Sequence, residues 1–314
     1  MTDIDTENGF KVSIIIPHYN QKECLERLFS SLANQTFQDF EAIIIDDCTP
    51  DKATVPFIEA LIKNKPNMRL VRNTENMRFV KTCNRGIRLA RGDYICFLNS
   101  DTGVNNNFVQ RNVEILDADT SIAGLSCIII NQYGGIWFSG GQYRRGAPFN
   151  FTDDFSGLRP TDFVAGTAAF YRKEVFENIG LFDENYIMYH EDVEFGLRIS
   201  AQTNYRLFMF SDKLVTHYLA PSIPRAEVNY YTRRNRILMS RRYAPKYLLE
   251  LIFCIILRDV CVRAILSPLG QLWRRPSLSL RFAISSMKGI LDGLFARQDT
   301  VVNQQKWDTL KPNT

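Results

Sequence analysis

Asp101 closes the stretch "FLNSDTGV" (97–104), where an apolar run ends in Asn99, Ser100 and Asp101. A carboxylate so placed can hold a divalent cation or take a proton. It can equally be part of a turn, because Asn, Ser, Asp and Gly make turns at little cost. Two other places raise the same question: Asp46 and Asp47 after the triple isoleucine of "FEAIIIDDCTP", and Pro17 to Asn20, including Tyr19, after "KVSIII". Pro17 can simply end a strand, and the Asp pair can cap the next helix. Farther on, "FDENYIMYHEDVEFGLRI" puts Glu191 and Asp192 in the first turn of a helix expected to begin near His190, a position the helix dipole favours by itself.

The elements that would position these residues alternate. Buried strands are predicted at "KVSIIIP", "FEAIII", "MRLVRN" and "DYICFLN". Between them Cys24, Leu25, Leu28, Phe29 and Leu32, then Val55, Ile58, Leu61 and Ile62, recur at helical spacing, and a helix is predicted around "CNRGIRLA". Strands apolar on both faces and separated by helices predict an α/β fold with a parallel sheet covered on both sides. In such sheets ligands sit beyond the carboxyl ends of the strands, so the three turns would share one edge. After residue 120 the pattern changes to a strand "SIAGLSCIII", a Gly-rich aromatic loop or set of short hairpins "YGGIWFSGGQYRRG", a strand "FVAGTAAFYR" from Asp162, and a helix "KEVFENIG" with Gly180 as its C-cap.

The chain of 314 residues has the apolar and charged fractions of an ordinary globular protein. Its cysteines (24, 48, 83, 96, 127, 254, 261) are scattered, with no CxxC pair, and suggest neither a disulfide framework nor a zinc site. They fit a reducing cytoplasm, and "MTDIDTENGF" lacks the basic and apolar regions of a secretory signal. Residues 1–10 are expected to be disordered. The net charge of +4 conceals a basic stretch of +9 between Arg225 and Asp299.

In order and spacing, "SIIIPHYN", "IIIDDCT", "ENMRFVKTCNRGIRLARGDYICFLNSDT" and "VAGTAAFYRKEVFENIGLFDENYIMYHEDVEFGLRI" resemble the family 2 glycosyltransferases. The similarity spans about residues 11–240. "THYLAPS" and "YYTRRNRIL" look most like the bacterial branch that includes rhamnosyltransferases of surface-polysaccharide assembly. The resemblance implies the GT-A fold, a Rossmann-like, mostly parallel central sheet flanked by helices, with a nucleotide-binding half (11–120), an acceptor half (121–240) and a C-terminal helical extension (241–314).

It also implies a chemistry: inverting transfer of a sugar from a nucleotide-sugar donor, UDP- or dTDP-linked, to a hydroxyl of a saccharide or lipid-linked acceptor. Charge developing on the departing diphosphate would be met by Mg²⁺ or Mn²⁺. The family's DXD motif falls on Asn99, Ser100 and Asp101, so only the last carboxylate is kept, with Asp101 as metal ligand and Asn99 near ribose or a coordinated water. His217 stands where some relatives supply an imidazole to the same metal, and is otherwise a surface histidine after a strand. Base and ribose would lie across Pro17 to Asn20 and bond to Asp46 or Asp47, the choice between them open. Arg78 replaces the Gly of many members, where in other relatives an arginine reaches the nucleotide. Asn84 and Gly86 match an N-x-G packing feature. Asp192 of "HED" is implied as general base, with Glu191 and Glu194 pointing elsewhere on the helix. Trp137 would stack on a sugar or pack in the core, and Gly166, Thr167, His190, Glu191 and Arg234 would surround the sugars.

In the basic end, "YLLELIFCIILRDVCVRAILSPLG" is broken by charges well short of the ~20 apolar residues of a spanning helix. "SLSLRFAISSMKGILDGLFARQ" aligns Leu280, Ile284, Met287, Leu291 and Leu294 on one helical face. With "WRRP" between them, residues 247–297 suit peripheral contact with anionic lipid at the inner face of the membrane, or packing on the catalytic part or another subunit. The oligomeric state is open. No nucleic-acid motif accompanies the charge. A sugar nucleotidyltransferase would begin with a Gly-rich basic loop and a dehydrogenase with G-x-G-x-x-G, and "PHYNQKE" is neither. A catalytically dead nucleotide-sugar or membrane-surface binding module is the remaining alternative, separable by whether bound donor is turned over.

Overall fold

The structure is a computed structural model describing residues 9–20, 22–218, 224–259 and 276–296, with side chains left undescribed over 276–280. Isoleucine- and valine-rich runs form β1 (Val12–His18), β2 (Phe40–Asp46), β3 (Met68–Arg72) and β4 (Tyr94–Leu98), parallel and in the order β3-β2-β1-β4. Every residue of β1, β2 and β4 is buried, as two covered faces require. The crossovers are α1 (Lys22–Ala33), α2 (Thr54–Ile62) and α3 (Arg78–Leu89). Leu25, Leu28, Phe29 and Leu32 are the buried face of α1, at the spacing read from the sequence. Asn84 of α3 donates to Phe182 O (2.9 Å) and accepts from Phe182 N (3.1 Å), the packing role expected of it. Phe10, expected in a disordered leader, instead lies under the Arg91 guanidinium at 5.1 Å; residues 1–8 fall outside the described residues.

The chain continues through β5 (Thr102–Val104), α4 (Phe108–Ala118), β6 (Ile122–Asn131), β7 (Ile136–Phe138), β8 (Gly141–Arg144), β9 (Ala147–Asn150), β10 (Leu158–Thr161), β11 (Ala168–Arg172), α5 (Lys173–Ile179), α6 (Glu191–Gln202) and β12 (Arg206–His217). Antiparallel β11 sits between β4 and β6, and β12 pairs with β6 in parallel. Six strands of the main sheet therefore run the same way, and the mostly parallel α/β expectation holds. The loop "YGGIWFSGGQYRRG" resolves into hairpins. β8 and β9 are joined by Arg145 and Gly146 alone, both left-handed (φ 49° and 82°), as a two-residue turn between twisted strands requires. The strand expected from Asp162 begins only at Ala168. Residues 162–167 instead cross the end of the sheet, turning at Gly166 and Thr167 so that Ala168 N donates to Ala165 O (3.1 Å).

The extension begins inside a helix, since α7 (Arg225–Tyr243) runs past residue 240; α8 (Leu248–Ile256) and α9 (Pro276–Phe295) follow. Both pack on α7. Ile237, Leu251, Ile255 and Ile290 form a second small core. Gly289 and Gly293 bring α9 so close that a Cβ there would lie 2.7 Å from Tyr230 O and 2.5 Å from Arg234 O. Buried Asp259 accepts from Arg233 Nε (2.5 Å), Arg258 Nε (3.1 Å) and Ser286 Oγ (3.1 Å), tying the segment after α8 to α7 and α9. Of the face read from the sequence, Leu294 packs into the small core, whereas Ile284, Met287 and Leu291 are exposed. Leu280, Cys261 and "WRRP" lie outside the described side chains. No helix among the described residues is long and apolar enough to cross a membrane.

Candidate active site

Parallel strands deliver their carboxyl ends to one edge, and the predicted turns meet there. A cavity of about 1170 Å³ is lined by Pro17 and Tyr19 after β1, Asp47 after β2, Asn99 and Asp101 after β4, and His217 at the end of β12. Because β11 runs the other way, the turn before it also reaches this edge, bringing Gly166 and Thr167 into the lining. Arg78, Trp137, His190, Glu191 and Asp192 complete the set of expected residues found there.

Asp46 and Asp47 part company. Asp46 is fully buried, ion-paired to Arg72 Nε (3.1 Å) and accepting from Thr49 N, and it does not line the cavity. Asp47 does; its Oδ1 accepts from Asn73 Nδ2 and Met77 N (both 2.7 Å) and its Oδ2 from Arg78 N (2.9 Å), which pins the 73–78 loop to the end of β2. Arg78 has φ 68°, a conformation that glycine adopts most readily, and its Nη1 donates to Glu227 on α7 (3.1 Å). Asn20 and Ser100 are outside the lining, Asn20 N donating to Thr49 Oγ1 (3.1 Å).

Strain gathers here as well. Among the described residues the left-handed non-glycine positions are Asn20, Cys48, Arg78, Arg145, Ile187, Tyr189 and His190. Each lines the cavity or is the chain neighbour of a residue that does. Such backbone costs of order 1–3 kcal/mol per residue and persists where the surrounding structure over-determines it, commonly at functional sites.

The Asp101–His217 contact follows from strand pairing. β12 runs antiparallel to β5, with His217 opposite Thr102, and Tyr218 N donates to Asp101 O (2.9 Å). His217 Nε2 and Asp101 Oδ2 are then 3.2 Å apart, and the imidazole meets Trp137 edge-on with centroids at 4.5 Å. Trp137 both lines the cavity and packs against His217 and Phe138. Among the described residues no three His, Cys, Asp or Glu side chains form a metal cluster. The carboxylate and imidazole nevertheless suit a hard divalent cation that completes its shell with water and phosphate oxygens. Asn99 lines the same cavity, and its buried Oδ1 has no partner among the described residues.

Glu191 and Asp192 open α6 behind His190. Asp192 is half-buried, its Oδ2 accepting from Gly166 N (3.0 Å) and its Oδ1 from Val193 N (2.8 Å). Burial raises its pKa above the ordinary aspartate value. Glu191, expected to point away, lines the cavity too; it is 5% exposed and its Oε2 has no partner. Burial, then the neighbouring Asp192 carboxylate, raises it well above the usual range. The two backbone N–H groups that Asp192 accepts from favour its ionised form over that of Glu191. Glu194 does point elsewhere, into a buried cluster with Arg198 (3.1 Å), Arg242 (3.0 Å) and the Tyr243 hydroxyl (2.8 Å). His190 is held neutral by burial and by the charges of Arg236 and Arg233.

Arg234 is not brought to the cavity. Its Nη1 donates to Asn185 O (2.6 Å), and Arg236, two residues on and across the helix, lines the cavity instead. Also unforeseen are the β8–β9 hairpin and the inner face of α8, with Leu251, Cys254 and Ile255. Their sequence signals were the basic run "YRRG" for the hairpin and the apolar run "YLLELIFCIIL" for the helix, neither of which placed them at the cavity.

A family model, "Glycosyl transferase family 2", matches residues 13–180. A Haemophilus influenzae protein described as an uncharacterized glycosyltransferase is 24% identical over 73% of this chain and 76% of its own length. The amylovoran biosynthesis glycosyltransferase AmsB of Erwinia amylovora is 24% identical over 66% of this chain and 69% of its own. Among solved structures, GalNAc-T7 with UDP, GalNAc and Mn²⁺ superposes with a TM-score of 0.64 at 15% identity, covering 90% of this chain and 56% of that one. Staphylococcus aureus TarS 1–349 with UDP-GlcNAc superposes at 0.56 and 18% identity, covering 88% and 90%. The sheet order, the motifs at its strand ends and these matches converge: the fold is GT-A, and the chain belongs to glycosyl transferase family 2.

Proposed function

We propose that this glycosyltransferase moves a hexosyl or deoxyhexosyl group from a UDP- or dTDP-sugar to an acceptor hydroxyl in bacterial surface-glycan assembly, by metal-assisted single displacement with inversion. One observation carries the reading: Asp47, the Asp101–His217 pair and Asp192 share one cavity. The named activities of AmsB and TarS, and the UDP-GlcNAc bound to TarS, support the glycan and donor classes.

The nucleotide lies across Pro17 and Tyr19 toward Asp47, which orders the loop carrying Arg78. Asp101 and His217 would hold Mg²⁺ or Mn²⁺, which when bound neutralises charge on the leaving diphosphate. Asp192 takes the acceptor hydroxyl proton as the acceptor oxygen bonds to the anomeric carbon. The bond from that carbon to the phosphate oxygen breaks, its electron pair leaving with the nucleoside diphosphate. Glu191, holding its own proton, leaves Asp192 free for this one. The protein works at the inner face of the membrane, with exposed Leu249, Phe253 and Leu257 of α8 and Ile284, Met287, Leu291 and Phe295 of α9 toward lipid.

The test is a panel of nucleotide sugars with purified protein, reading released UDP, dTDP or GDP with Mn²⁺, Mg²⁺ or chelator. Release from one donor, abolished by chelator and by Asp101→Ala, is expected; binding of a donor without release under any condition would make the protein a binding module.

A further inference from the structure

The cavity does not stop at Asp192. Beyond His190 it runs between α7, α8 and the β8–β9 hairpin, where Arg144, Arg145, Arg236 and Arg258 line it together with Leu251 and Ile255. The charges are unevenly matched. Arg145 pairs with Glu250 (2.8 Å), and Arg258 and Arg233 share Asp259 (3.1 and 2.5 Å). Among the described residues Arg236 has no hydrogen-bond or ion-pair partner; it is half-buried, and its Nε is enclosed. Burial, and then the guanidiniums of Arg233 and Arg258, push it down to about 10. Arg144, exposed on the hairpin, is likewise unpaired. Among the described residues the carboxylate acting on Arg236 is Asp259, already shared by Arg233 and Arg258, and a partly desolvated guanidinium so under-compensated is stabilised by an anion that completes it.

We propose that this end of the cavity binds a phosphate group carried by the acceptor, and that the acceptor is a sugar attached to a long-chain lipid diphosphate. The inference rests on the transferase reading above. Several planar guanidiniums around one space suit the oxygens of a diphosphate. The donor's diphosphate belongs elsewhere, because in a single displacement the leaving group departs on the face opposite the base, while Arg236 neighbours His190 on the Asp192 side. The apolar wall of Leu251 and Ile255 has a use for a hydrocarbon chain and none for a polyol-phosphate polymer. It also leads to the helix whose outer face exposes Leu249, Phe253 and Leu257.

The test titrates the full chain with farnesyl diphosphate, farnesol, poly(ribitol phosphate) and, in Mn²⁺, UDP. Farnesyl diphosphate should bind at least about tenfold more tightly than farnesol, and Arg236→Gln should weaken it by roughly tenfold or more, the size of a lost charged hydrogen bond, leaving UDP within about twofold. Arg144→Gln, at an exposed unpaired position that tolerates change, should weaken it about threefold. Unchanged farnesyl diphosphate affinity in both variants overturns the subsite. A parallel loss of UDP affinity assigns Arg236 to the donor and overturns it too, as does Arg236-dependent binding of poly(ribitol phosphate) in place of farnesyl diphosphate. Arg236-dependent farnesyl diphosphate binding in a protein that ignores every nucleotide would instead support the subsite and remove the donor reading.

Discussion

Two adjacent carboxyls at the start of α6 divide the work by their surroundings. Asp192→Asn keeps the shape but only one of the two backbone contacts, because its NH2 cannot accept from an N–H, and it cannot take a proton, so turnover should fall by about 10²–10⁴ with UDP affinity retained, read by product release and by titration. Because burial raises Asp192, the acid limb of kcat/KM should lie above the ordinary aspartate range. Glu191 gives a separate pH signal. Its raised pKa means the folded chain keeps a proton that the unfolded chain releases, so its contribution to stability is intact below the ordinary glutamate value of 4.5 and lost as pH rises through the folded value. Glu191→Gln removes that slope, and the Tm difference between variant and parent should grow with pH across this window; a flat difference would show that Glu191 is ionised. Asp47, Asp101 and Asp192 were legible in the sequence because each follows an apolar run or opens a helix. His217 was legible through resemblance, and its contact needed the β5–β12 pairing that no local pattern announces. Arg236 was misplaced as Arg234 because α7 carries arginine around its whole circumference, and which of them is buried depends on counter-charges far along the chain, at Asp183, Glu194 and Asp259.

Among the elements, the strands were read nearly to the residue where both faces are buried, and lost where the chain crosses the end of the sheet at 162–167. α9 was read as an amphipathic helix with its partner undecided. Small residues decide it: Gly289 and Gly293 let its backbone approach that of α7, and Asn229 Nδ2 donates to Ser285 Oγ (2.9 Å) and Ser286 Oγ (2.7 Å) across the gap. Gly293→Leu must push the helices apart, at about 1–3 kcal/mol, lowering Tm; with the α7–α8 wall displaced, farnesyl diphosphate binding should weaken while UDP binding is spared.

Charge and apolar surface on the whole molecule are segregated. The basic stretch between Arg225 and Asp299 coincides with the helices that expose Leu249, Phe253, Ile284, Leu291 and Phe295, while the rest of the chain carries −5. Cosedimentation should therefore show binding to vesicles containing anionic lipid, weakening with salt over the range where surface charges are screened, and Phe253→Glu should reduce it severalfold. Equal binding to zwitterionic vesicles would leave charge out of the association.

The expected division into a nucleotide half and an acceptor half is not a division of the sheet. β11, coded some seventy residues after β4, is laced between β4 and β6. Severing the chain near residue 120 would strip β4 of its neighbour and leave an open, wholly apolar edge ready to stick to other chains. Lineages that trade acceptor specificity by recombination must then exchange loops and the C-terminal helices around an undivided sheet, since neither half can travel alone.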